Sequence, residues 1–111
     1  KREIILNKKT DSLNGIDEIK RENHLSKVSY AIRFHLYPGV TAVQTMGKNS
    51  ILIQIDKNKS LIFTSTADNL ILEKSIFLGG NQIINNFCIT LEGTLNNNES
   101  KNIIWELKRN N

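Results

Sequence analysis

Apolar and polar residues alternate with a period of two along much of this chain, the pattern of strands that bury one face. Ile51, Ile53 and Ile55 alternate with Leu52, Gln54 and Asp56. The short turn Lys57-Asn58-Lys59 follows, and Leu61-Ile62-Phe63-Thr64 opens a return strand, so this stretch predicts a hairpin. Between Val28 and Leu36, Val28, Tyr30, Ile32, Phe34 and Leu36 share one parity, while Ser29, Ala31, Arg33 and His35 hold the other. Tyr37-Pro38-Gly39 ends that strand, because proline withdraws a ladder donor and glycine supplies turn dihedrals. Val40 to Met46 predicts the next strand, with Gly47-Lys48-Asn49 as its turn into Ile51.

Leu70 to Leu78 follows the turn Ala67-Asp68-Asn69 and stops at Gly79-Gly80. Ile83-Ile84, Cys88 to Leu91, and Ile103 to Leu107 complete the set, and Glu3 to Asn7 with Ile16 to Arg21 predict an opening hairpin. Asn96-Asn97-Asn98-Glu99-Ser100 is a polar loop. No window carries a 3.6-residue apolar stripe, so no helix is expected. About nine short strands in meander-like order predict an all-β fold, either an antiparallel β-sandwich or an open, twisted multi-stranded sheet.

With 111 residues the chain has room for a single β-domain spanning 1–111 around one core. A lone cysteine, Cys88, excludes an internal disulfide framework and a thiolate zinc site. Lys1-Arg2 leads into only three apolar residues, which is no signal peptide, and no apolar run approaches the ~20 residues of a membrane helix. The first residue is not methionine, so the chain is expected to be a piece of something longer, and its compartment stays open between periplasm and cytoplasm.

The net charge of +4 raises nucleic-acid binding as a possibility. The distribution argues against it, because Lys27, Lys48, Lys57, Lys59, Lys74 and Lys101 are scattered singly among acidic residues. No basic cluster is interleaved with aromatics for base stacking. Sixteen isoleucines and fifteen asparagines fit an AT-rich genome, and part of the asparagine excess sits at turns.

His35 is the side chain with most chemical scope. It lies mid-strand on the parity opposite the apolar face, where an imidazole could act as a base or bind a metal. It has no partner in sequence, so an ordinary polar-face or interface role is the plainer expectation. A metal site from His24 and His35 would need Asp17 or Glu22 to converge on them, and nothing in the spacing demands that. Asp11, Asp17, Glu18 and Glu22 form no paired-carboxylate signature and are expected to cap turns and face solvent. Gly79-Gly80 precedes a strand, not a helix N-terminus, so it is no phosphate loop. Cys88, between Phe87 and Ile89, is expected to be buried apolar filler. Trp105 could stack on a sugar, but in a terminal strand it reads as a core anchor.

Read in order, these segments resemble the C-terminal β-domain of the heparinase II/III-like polysaccharide lyases. The resemblance begins at Gly15-Ile16-Asp17-Glu18-Ile19, where the family tends to have a Gly-x-Asp-x-apolar strand. It is sharpest at Ala31-Ile32-Arg33-Phe34-His35-Leu36-Tyr37-Pro38-Gly39-Val40, close to the family's apolar-Arg-Phe-His-Leu-His-Pro-x-Val run. It continues through the Ile51 to Phe63 hairpin, through Leu72 to Gly79 and Gln82-Ile83-Ile84, and closes at Ile104-Trp105-Glu106-Leu107-Lys108-Arg109.

The resemblance implies an enzyme of two parts: an N-terminal α/α toroid with most of the catalytic residues, and a C-terminal β-sandwich packed against it. Such lyases cleave uronic-acid polysaccharides by β-elimination, with a Tyr/His pair handling the proton and a neutralising group stabilising the carbanion. The family's β-domain can supply histidine and aspartate ligands to a structural metal. Lys1-Arg2-Glu3-Ile4 resembles the strand just after its His-x-Arg segment, so those ligands are expected upstream and neither metal nor cofactor within these residues. Tyr37 stands where the family often has a second histidine, which leaves His35, Arg33 and Tyr37 as the candidate catalytic residues of an incomplete set. The expected partners are the toroid and an acidic polysaccharide, with no nucleic acid and no membrane. A sheet face shaped for the toroid and left exposed would favour self-association. The alternative is an independent carbohydrate-binding β-sandwich using Tyr37 and Trp105 as its aromatic platform. A lipid- or protein-binding β-domain has no specific signal.

Overall fold

A computed structural model describes residues 2–7, 12–20, 28–96 and 100–110. The described residues form nine strands: β1 (Arg2–Asn7), β2 (Ser12–Lys20), β3 (Val28–His35), β4 (Thr41–Gln44), β5 (Ser50–Asp56), β6 (Lys59–Ser65), β7 (Asn69–Gly79), β8 (Gln82–Leu95) and β9 (Ser100–Arg109). They pair antiparallel in two sheets, a six-stranded one ordered β1-β2-β9-β6-β5-β4 and a three-stranded one ordered β3-β8-β7. The architecture is a β-sandwich. No helix of the described residues is long and apolar enough to cross a membrane.

The inner faces carry the predicted parity. Tyr30, Ile32 and Phe34 of β3 pack against the core, whereas Ser29, Ala31, Arg33 and His35 are exposed. Ile51 and Ile53 from the six-stranded sheet meet Ile89 and Leu91 from the three-stranded one, all at 3% exposure or less. Each such side chain contributes about 1.5–3 kcal/mol relative to leaving it in water. Ile55 departs from the expected parity. Pairing shifts between Gln54 and Asp56, so Ile55 is the extra residue of a bulge and turns out to solvent.

Two further differences concern long-range pairing. Strand order is not a meander, because β9 inserts between β2 and β6 and β3 crosses to the other sheet beside β8. Ile83-Ile84 and Cys88 to Leu91 belong to one 14-residue strand, β8, running straight through the polar pair Asn85-Asn86. A central strand satisfies its backbone on both edges, so two asparagines need not interrupt it. The β7–β8 turn is Gly80-Asn81, with Gly80 at φ +67°, a left-handed conformation suited to glycine. The opening hairpin forms as expected, with β2 starting earlier, at Ser12.

Candidate functional site

The strand that carries the sharpest sequence resemblance, β3, is an edge strand with two different faces. Register places His35 beside Cys88 of β8, which lies beside Glu73 of β7, so the three side chains form a row on the outer face. Arg33 and Thr90 pair one step along in one direction, and Asn86 and Ser75 in the other. Arg33, His35, Glu73, Ser75, Asn86 and Cys88 line a shallow groove of about 250 Å³. Thr90, fully buried beneath the longer side chains, donates its hydroxyl to Glu73 Oε1 at 2.6 Å. Cys88 is therefore not buried filler. Its parity is opposite to Phe87 and Ile89, so it sits half-buried on the polar face. Glu73 and Asn86 escaped the sequence reading because only the register of three strands brings them to His35.

Tyr37 is not part of that groove. The turn after β3 is pinned along β8, with Leu36 N donating to Phe87 O (3.0 Å) and Gly39 N to Asn85 O (3.3 Å). The Tyr37 ring is left 81% exposed. Arg33 and His35 both line the groove, and Tyr37 is not among its lining residues.

The inner face of β3 belongs to a different constellation. Phe34 meets Trp105 edge-on at 5.0 Å between ring centroids, and Trp105 stacks on Phe63 at 6.0 Å. Such aromatic geometry adds to plain area burial. Trp105 is 5% exposed, as a core anchor should be, and so offers no platform to a sugar. Its ring lies over Gly15, the residue directly across the β2–β9 ladder, and a Cβ on Gly15 would fall 2.0 Å from it. Trp105 Nε1 donates to Asp17 Oδ2 at 3.3 Å.

Asp17 also receives Arg2 in a two-pronged contact, Nε to Oδ1 at 2.6 Å and Nη2 to Oδ2 at 3.0 Å, while the guanidinium carbon lies 4.9 Å from the Phe34 ring centroid. Asp17 is therefore not a solvent-facing turn cap. It is buried in mid-strand, and tolerable there because each oxygen is hydrogen-bonded. Hydrogen bonding to Asp17 raises the Arg2 guanidinium above its already high ordinary value against the cost of burial, and the charge of Asp17 adds to the rise. Glu18, the next residue, is half-buried.

Among the described residues no three His, Cys, Asp or Glu side chains converge as a metal cage, and Asp17 is already committed to Arg2 and Trp105. His24, Asp11 and Glu22 lie outside the described residues, so the His24/His35 pairing lies outside them too. Gly80 serves the β7–β8 turn and no phosphate loop.

The Gly15-x-Asp17 pair, the Arg33-Phe34-His35 strand and the closing Trp105 thus occupy one fold in one order. The sequence profile of the family described as Heparinase II/III-like, C-terminal, matches residues 1–106. The chain belongs to that family. No curated protein and no solved structure matches it. For this heparinase II/III-like C-terminal domain, the resemblance carried by Gly15, Asp17 and Trp105 has a packing cause, and the one carried by Arg33 and His35 faces outward.

Proposed function

We propose that this chain is the structural C-terminal β-sandwich of a heparinase II/III-like polysaccharide lyase, packed on an N-terminal α/α toroid and not catalytic alone. The lyase as a whole would cleave uronic-acid polysaccharides by β-elimination, with the toroid supplying most of the acid–base machinery. That it is not catalytic alone is supported by the absence of Tyr37 from the groove that Arg33 and His35 line, since β-elimination takes a proton from the carbon beside the carboxylate and delivers one to the departing glycosidic oxygen.

The observation that carries the docking role is the far end of the β7–β8 hairpin. Ile76, Leu78 and Ile83 lie on the parity that faces the core elsewhere in that sheet, yet they are 62%, 74% and 72% exposed. At this end of the hairpin the apolar face has no cover among the described residues. A contiguous apolar strip of this kind marks an interaction surface. The toroid is the partner that the family's C-terminal position supplies.

Two measurements test this. The 111-residue chain should give no absorbance rise at the unsaturated-uronate band with any uronate polysaccharide, and a rise would overturn the proposal. Left without its partner, the hairpin face should drive reversible self-association in equilibrium sedimentation, lost in Leu78→Ser/Ile83→Ser. A clean monomer at high concentration would count against the docking surface.

A further inference from the structure

We infer that this chain forms a two-fold dimer in which β1 of one copy pairs antiparallel with β1 of a second, joining two six-stranded sheets edge to edge. The contact lies away from the hairpin strip. β1 closes one end of the six-stranded sheet, while β4 closes the other and is the strand of that sheet beside β7. Both surfaces can therefore be occupied at once, and the inference does not rest on the docking role.

β1 is an edge without the usual protection. It pairs with β2 through six consecutive positions, Arg2↔Asp17 to Asn7↔Ser12, with no register shift, so no bulge bends it away. Its outer edge pairs with no described strand, which leaves alternate N–H and C=O groups pointing outward. Natural edges are blunted by brevity or by charge. β4 has four residues, β3 carries Arg33, and β7 carries Glu73 and Lys74 in mid-strand. In β1 the middle is Ile4-Ile5-Leu6, which are 53%, 52% and 63% exposed. The cation of the strand, Arg2, is turned inward onto Asp17 and Phe34.

Both faces of this edge lack cover. Ile4 and Leu6 share the parity of Arg2 and of the sandwich interior: Ile4 stands across from Gly15, and Leu6 across from Leu13, which packs on the core. They prolong the inner apolar face beyond its covered part. Ile5 lies on the outer face, across from Asn14. A body resting on one face would cover only part of this set. A strand added at the edge presents side chains to both faces and covers all three.

What selects a second copy is that Glu3-Ile4-Ile5-Leu6-Asn7 reads alike in both directions: polar, three apolar, polar. A two-fold axis normal to the sheet makes the two β1 strands antiparallel and keeps inner face beside inner face. Facing residues then share a face, so the register must centre on one residue. Centred on Ile5, it sets Ile5 against its own counterpart and, twice over, Ile4 against Leu6 of the second copy. Position Glu3 then falls level with position Asn7. Centred one residue earlier, it would set Glu3 against Ile5 and Arg2 against Leu6; one residue later, it would set Ile5 against Asn7. Only the Ile5 register matches apolar with apolar throughout, and such cross-strand pairs stabilise a ladder. One strand pair is a small contact beside the ~1,200–2,000 Å² of a standard interface, so the dimer is reversible and grows with protein concentration.

The test is equilibrium sedimentation of the 111-residue chain carrying Leu78→Ser/Ile83→Ser, which removes association through the hairpin and leaves β1 intact. This variant should pass from monomer to dimer with rising concentration and stop there, whereas the unsubstituted chain, with both contacts, should assemble further. Ile5→Lys on the same background puts two like charges across the axis and should weaken the dimer about tenfold or more. Val43→Lys, which adds the same charge on the opposite edge strand, should change nothing. Register is read by trapping with oxidised glutathione after Cys88→Ser. Ile5→Cys should link two copies, because facing Cα atoms lie within disulfide reach. Ile4→Cys should not, because its counterpart is displaced along the strand. A monomer at every concentration, a dimer untouched by Ile5→Lys, or equal trapping through Ile4→Cys and Ile5→Cys would each overturn the inference. The docking role fails separately, if the unsubstituted chain and its Leu78→Ser/Ile83→Ser variant sediment alike.

Discussion

Strand β3 holds two environments back to back. On its inner side Phe34 packs among Trp105, Phe63 and the Arg2–Asp17 pair, where the Trp105 indole N–H and both Asp17 oxygens have partners. On its outer side, one residue away in either direction, Arg33 and His35 stand exposed over a shallow groove. The inner corner is finished: removing one member leaves a buried group unpaired or a void. The outer face is open to solvent, and its exposed side chains can be exchanged at little cost to the fold. Both lie in the same short motif, so sequence resemblance alone could not have said which half packs into the core and which faces solvent.

This contrast orders the expected effects of substitution. Trp105→Ala should cost the most, about 3–5 kcal/mol in a urea titration, because a large buried aromatic leaves a cavity. A loss below about 1 kcal/mol would mean that the corner is not closed, since surface substitutions fall in that range. Gly15→Ala comes next. Its Cβ would land on the Trp105 ring from rigid backbone, and overpacking of this kind costs about 1–3 kcal/mol. Unchanged stability there would show that the indole does not rest on the β2 backbone.

Asp17→Asn keeps the shape and removes the charge. About 1–2 kcal/mol should be lost at neutral pH, less than for a fully buried pair because the Arg2 side chain is 42% exposed. Arg2→Ala should lose less than Asp17→Asn, and an equal or larger loss would shift the weight from the buried carboxylate to the cation over Phe34. Arg33→Ala and His35→Ala should be the smallest, within about 0.5 kcal/mol of the parent, as for other exposed positions. If either destabilised the chain like Asp17→Asn, the outer face would have to be reread as structural.

Much of the fold was legible in the residues. The parity of Tyr30, Ile32 and Phe34 against Arg33 and His35, the Ile51–Ile53 alternation and the turn at Lys57-Asn58 are local patterns, and a half-buried strand imposes them within its own few residues. The misplaced readings share a different character. Asp17 looked like a surface carboxylate because nothing within its own strand shows that Arg2 and Trp105 will reach it, the latter from 88 positions along the chain. Cys88 looked apolar because its neighbours are. Its parity in a central strand, and hence its place beside His35 and Glu73, depends on β8 running unbroken through Asn85-Asn86.

The sequence by itself determined most of the strands and faces, the all-β class and the family, because period-two patterning, turn residues and ordered motifs are written locally. Tertiary structure decided what the partners would be. It chose a sandwich over an open sheet, set β9 between β2 and β6, closed Gly15, Asp17 and Trp105 into one corner, and gathered Arg33, His35, Glu73 and Asn86 around one groove. The physical reason is that strand pairing is non-local: each backbone edge accepts many partners, and only burial of all the apolar faces together selects one register.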